Sequence, residues 1–190
     1  MAPHVATATA PLAGPLPTGF CDATLTPLAE FVQALGYSIS FDGSGFSATR
    51  GTSDLRCICI EGQVVIELAE RDAIVSVTLT RERERLELEI AAQFPGLGSI
   101  QHTSFLDGTT GLSAGSRTFA AETADAAAFI ELDLAGRAVA VDGDAALVNS
   151  RFAPVLAAST AWKDAHALAL ALADMPAPDL DPAVAVPSPR

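Results

Sequence analysis

The chain has 190 residues, 49% hydrophobic and 18% charged, which is enough apolar material for one cored domain and too much for a disordered chain. Its 11 basic against 23 acidic side chains leave a formal charge of −12, which repels phosphate backbones and anionic headgroups. Nucleic acid and membranes are therefore excluded as partners at this stage. Residues 1–20 carry Pro3, Pro11, Pro15 and Pro17 among alanine and threonine and read as a flexible leader with no signal-peptide pattern. Pro176, Pro178, Pro182, Pro187 and Pro189 forbid a packed helix, so residues 176–190 read as a disordered tail. A single α+β domain over residues 21–175 is expected between them.

The first predicted element is a helix. Thr26 can cap it, Pro27 suits its first turn, and Leu28, Phe31, Val32 and Leu35 form one apolar stripe before Gly36 stops it. Strands follow: Ile39 and Phe41, then the turn Asp42-Gly43-Ser44-Gly45, then Phe46 and Ala48. Leu55–Ile60 and Gln63–Leu68 flank the hairpin signal Glu61-Gly62, and Ala73–Thr80 continues after the turn at Glu70, Arg71 and Asp72. Beyond the charged run from Arg81 to Arg85, read as a solvated face, Leu86, Leu88 and Ile90 alternate with Glu87 and Glu89 as in a strand with one wet face.

From Phe94 to Arg117 the glycine, serine and threonine content predicts a long loop. Thr118–Glu122 reads as a short strand, and Phe129–Leu134 with Ala138–Val141 as a hairpin about Gly136. A long C-terminal helix is expected from about Ser150 to Met175, with Pro154 in its first turn and Val155, Ser159, Trp162, Ala165, Ala169 and Leu172 along one face. The predicted class is α+β: an antiparallel β-meander of hairpins flanked by an N-terminal helix and a long C-terminal helix.

Chemistry is sparse along this chain. Cys57 and Cys59 share one face of a strand, but no further Cys or His stands at metal-ligand spacing, so they read as core thiols. With Cys21 the cysteines number three, which is no disulfide framework and points to the cytoplasm. His4, His102 and His166 fall in the leader, the loop and the last helix; His166 stands four residues from Trp162 and flanks an apolar helix face. Asp142-Gly143-Asp144 lacks the glutamate that would complete a calcium loop, and the glycines between Gly96 and Gly115 lack phosphate-loop spacing. No catalytic residue, no metal and no cofactor is expected, and the protein reads as a binder, not an enzyme.

Three segments, in order, carry a family likeness: LAEFVQALG followed by YSISFDGSGFSA, then RLELEIAAQFPGLG, then FAPVLAASTAWKDAHAL. Together they resemble the class I chaperones of type III secretion effectors, through an opening helix, a strand–Asp–x–x–Gly–strand unit (Phe41, Asp42, Gly45, Phe46), a proline-bearing turn and a closing helix with a central tryptophan. Residues 99–116 offer no counterpart to that family's leucine-rich middle helix. The resemblance implies a cytoplasmic homodimer that holds the N-terminal segment of an effector protein in extended form without ATP. Backbone pairing at a sheet edge would supply affinity and side-chain pockets selectivity. The groove residues it implies are Val32, Leu35, Ile39, Phe41 and Phe46. The alternative expectation is a small-molecule or lipid binder, with its pocket between the sheet and the long helix.

Overall fold

The computed structural model describes residues 20–60, 63–71, 73–82, 85–107, 117–133 and 135–174. The expected leader, apart from residue 20, the expected tail and the Glu61-Gly62 turn lie outside the described residues. The chain opens with α1 (Phe20–Ala34) and continues as β1 (Ser38–Phe41), β2 (Gly45–Arg50), β3 (Ser53–Ile60), β4 (Gln63–Glu70) and β5 (Ala73–Glu82). Next come β6 (Arg85–Phe94), β7 (Gly98–Asp107), β8 (Arg117–Thr123), β9 (Ala127–Leu132) and β10 (Ala138–Gly143), then α2 (Ala145–Ala158) and α3 (Thr160–Asp174). The ten strands of the described residues form one antiparallel sheet in strict chain order, a mixed α+β architecture built on a meander.

The register explains how one face became the core. Phe46, Cys57, Ile66, Val77, Ile90, His102, Phe119 and Ile130 stand opposite one another from β2 to β9, and Ala48, Leu55, Leu68, Val75, Ala92, Ile100, Ala121 and Ala128 form the adjoining row. Because strand side chains alternate, every second residue joins these rows and the rest face the other way. The helices cover the rows: α1 lies on β1–β3, α3 crosses β4–β6 and touches α1, and α2 lies on β8 and β9. The opposite face carries no helix among the described residues and presents Arg56, Glu67, Ser76, Ala91, Gln101 and Ala120.

The C-terminal stop of α1 follows the expectation. Gly36 takes φ 91°, its N–H donates to the Gln33 carbonyl at 2.9 Å, and the Tyr37 N–H donates to the Val32 carbonyl at 3.4 Å. Only a residue without a Cβ adopts that conformation cheaply. The N-terminal expectation is corrected: α1 begins at Phe20, so Thr26 is no cap and Pro27 lies inside the helix. The lost backbone bond at Pro27 is outweighed by the complete burial of Leu25, Leu28, Ala29 and Val32 against the sheet. In the first hairpin, Phe41 pairs with Phe46 around the predicted turn. A Cβ on Gly45 would stand 1.9 Å from the Cys57 carbonyl oxygen, so that turn residue has to be glycine.

Two expectations fail. The predicted long loop contains β7, a full strand paired on both sides; only residues 108–116 lie outside the described part. Its polar composition hid an alternation that puts Ile100, His102 and Ser104 on the helix side and Ser99, Gln101 and Thr103 on the opposite side, where Thr103 is buried. The single long C-terminal helix is two helices, broken at Ser159, whose backbone is extended (φ −74°, ψ 119°). The Ser159 hydroxyl accepts from the Trp162 N–H at 3.1 Å, and the Glu70 carboxylate of β4 accepts from the Ala161 N–H at 3.0 Å. These acceptors satisfy the open first turn of α3, so ending α2 and restarting costs little. Partial burial opposes ionisation of Glu70, but hydrogen bonds from Ala161, Thr160 and Ser159 outweigh it and hold the carboxyl below its ordinary range.

One polar clamp joins three elements. Asp164 of α3 accepts from the Tyr37 hydroxyl at 2.7 Å and from Arg50 of β2, whose guanidinium also donates to the Leu35 carbonyl at 2.7 Å and stacks on the Tyr37 ring. Burial and the bond to Asp164 push the Tyr37 hydroxyl up. Asp142-Gly143-Asp144 ends β10 and starts α2, where the Asp144 carboxylate accepts from the Leu147 N–H at 2.9 Å. Cys57 is a buried free thiol, whereas Cys59, buried on the same face, is disulfide-bonded; the expectation of free core thiols holds for Cys57 alone. No helix among the described residues is long and apolar enough to cross a membrane.

Candidate functional site

The five residues implied by the resemblance gather where α1 meets the first strands. Val32 and Phe46 are fully enclosed, and Phe41 is nearly so, with its ring edge-on to Phe46 at 5.8 Å between centroids. Leu35 and Ile39 are half-buried and packed against the same core. This cluster fills the end of the sheet under α1.

Among the described residues, hollows open on the sheet face away from the helices (about 470 Å³), beside Phe94 and Pro154 (about 650 Å³) and between α3 and the sheet. A cavity of about 340 Å³ lies between α3 and the strands β6–β9. Leu88 and Ile90 of β6, Phe119 of β8 and Leu132 of β9 make apolar walls, and Ala169 and Leu170 of α3 form the roof. Leu170 is 58% exposed at the rim, an unusual position for leucine on a helix whose other leucines are buried. Ser104, Arg117, His102 and His166 supply polar atoms around this lining.

The back of the site is an aromatic cluster. The His102 ring of β7 lies 4.9 Å from Phe119, 5.3 Å from Trp162 and 5.8 Å from His166, centroid to centroid, and Trp162 lies 4.8 Å from His166. Trp162 and His166 share a helix face because they stand one turn apart. The Nε2 of His102 is buried with no hydrogen-bond partner among the described residues, and its ring stands among those of Phe119, Trp162 and His166. Burial, helped by the neighbouring His166, lowers the His102 pKa to about 4, and burial lowers that of His166. Both imidazoles are therefore uncharged at neutral pH and act as aromatic wall. A general base works best with a pKa near the operating pH, and burial drives these two away from it.

No group of His, Cys, Asp and Glu with the geometry of a metal site occurs among the described residues. Sequence reasoning offered a pocket between the sheet and the last helix as its alternative expectation but did not single out the residues of this one, for two reasons. It placed His102 in a loop, and it read His166 as a flank of the helix. The alternation Ile100, His102, Ser104 and the four-residue step from Trp162 to His166 were the signals that could have paired them.

A second feature is β10, the sheet's last strand. All six of its residues are exposed, with Val139 and Val141 each 59% exposed, and one backbone edge carries no strand partner among the described residues. No protein-family description, no curated protein and no solved structure matches the chain.

Proposed function

We propose that this protein binds a small, largely apolar molecule in the cavity between α3 and β6–β9. The observation that carries the reading is the cavity itself: about 340 Å³ of space under a helix, walled by Leu88, Ile90, Phe119 and Leu132, more enclosed and more apolar than the hollows on the opposite sheet face and beside Phe94. Interiors are normally close-packed, and space of this size with apolar walls and a few polar groups is the usual form of a ligand site. The uncharged histidines keep the back wall free of ionic cost. The test is a fluorescence titration with N-phenyl-1-naphthylamine, an uncharged dye that brightens in apolar surroundings. Saturable one-to-one binding is expected, and Ser104→Phe, which fills the cavity from the sheet side, should abolish it without lowering the melting temperature. Absence of saturable binding, or binding untouched by Ser104→Phe, overturns the reading.

A second reading is supported by β10. An exposed strand with an open backbone edge is the element to which an extended segment of another protein adds. The likeness to effector chaperones implies that mode of binding, with a secreted protein's N-terminal segment as the added strand and a homodimer as the working form. Size-exclusion chromatography with such a segment tests it: a stable complex that is lost in Val141→Lys supports strand addition, and no complex removes it.

A further inference from the structure

We infer that the ligand of this cavity is an amphipathic monoanion, a carboxylate on an apolar tail, seated with its head group on Arg117. The inference rests on the cavity reading above and specifies its ligand. Arg117 stands on the helix side of β8, between Ser104 of β7 and Leu132 of β9, and it lines the cavity while staying open to solvent. Its neighbours in that row are a hydroxyl and a hydrocarbon side chain.

Other arginines of this acidic chain show the contrast. Arg50 pairs with Asp164, Arg137 with Asp133 and Arg151 with Asp125, while the side chains of Arg56, Arg71 and Arg117 have no ion pair among the described residues; of these three, Arg117 alone lines the cavity between α3 and β6–β9. In a chain of net charge −12, a cation at the rim of an apolar cavity without a carboxylate partner is a vacant counter-charge. The planar guanidinium matches a carboxylate with two parallel hydrogen bonds, which a hydroxyl cannot use as well.

Size limits the tail. At protein packing density, a cavity of about 340 Å³ takes roughly 12 to 17 non-hydrogen atoms, which spans a medium-chain fatty acid and the flat aromatic dye. Deeper in, the walls are Leu88, Ile90 and Phe119 with two uncharged imidazoles, an environment for hydrocarbon and a poor one for a second charge.

The experiment uses the full chain and three probes of equal length: decanoate, decanol and decylammonium, each titrated by displacement of N-phenyl-1-naphthylamine and, independently, by Trp162 fluorescence and calorimetry. Decanoate should bind about ten-fold more tightly than decanol, the scale of one charge-assisted pair, and decylammonium more weakly than either. Arg117→Gln should bring decanoate down to the level of decanol, leave decanol and the dye unchanged, and leave the melting temperature within a degree or two, since the residue is exposed. Equal affinities for decanoate and decanol in the natural chain, or equal weakening of both in Arg117→Gln, overturn the inference while leaving the cavity reading standing. Failure of the dye and of all three probes to bind removes the cavity reading and this inference with it.

Discussion

The two ends of the sheet are built on opposite principles. From β2 to β6 the helix-side rows are large and closed: Phe46, Ile66, Leu68, Val75 and Val77 are between 0 and 1% exposed beneath α1 and α3. From β7 to β10 the same face mixes Ile100, Phe119, Ile130 and Leu132 with the smaller or polar His102, Ser104, Ala121 and Ala128, and it ends in a last strand with no buried residue. Burial at the first end stabilises the fold, and the clamp of Tyr37, Arg50 and Asp164 ties its helices to it. At the second end the span between α3 and β6–β9 leaves space, and the edge of β10 has no strand partner among the described residues. A domain that binds something needs both, because a site cannot be held in shape without a packed half to hold it.

Mutations can break this contrast, and the largest effect lies in the closed half. Phe46→Ala should cost about 3–5 kcal/mol, since it empties a fully buried site, whereas Phe129→Ala, at a side chain 40% exposed on β9, should cost under about 1 kcal/mol. Urea unfolding of the two variants checks the difference. Equal costs would mean that the open half is packed as tightly as the other.

A middle-sized effect comes from pH. The folded-state pKa of His102, about 4, lies below the ordinary 6.5, so the unfolded chain takes up the proton first as pH falls. The stability that depends on a neutral His102 is therefore complete above about 6.5, declines as pH falls toward 4 and is constant below that. Between pH 7.5 and 5 the loss should be about 2 kcal/mol, and His166, shifted the same way, adds to it. Urea midpoints at the two pH values measure the change, and His102→Phe should flatten it. A slope unchanged in His102→Phe would place the acid sensitivity elsewhere.

The smallest effect on stability is the most informative about the edge. Val141→Lys on exposed β10 should shift stability by no more than about 0.5 kcal/mol, because little packing is lost. A lysine there does block strand addition. A marked loss of stability, read from the melting temperature, would show that β10 is covered in the working form and that the open edge belongs to an interface.

Sequence pattern alone determined much of this protein. The meander from Ile39 to Ile90, the stop of α1 at Gly36 and the hairpin around Gly136 were legible because strand alternation and turn glycines are local signals, complete within a few residues. So was the mixed α+β class. Tertiary structure decided the rest. Strand β7 is polar in composition and is a strand because β6 and β8 pair with it on both sides, and the break at Ser159 depends on Glu70, a residue 89 positions away in the chain. His102 and His166 meet only because α3 returns across the sheet. Whether an apolar residue such as Phe41 lines a groove or fills a core is settled by what packs above it, and periodicity carries no information on that point. The cavity has the same origin: it is the gap between a helix and strands that no local pattern relates, so only the packed arrangement creates it.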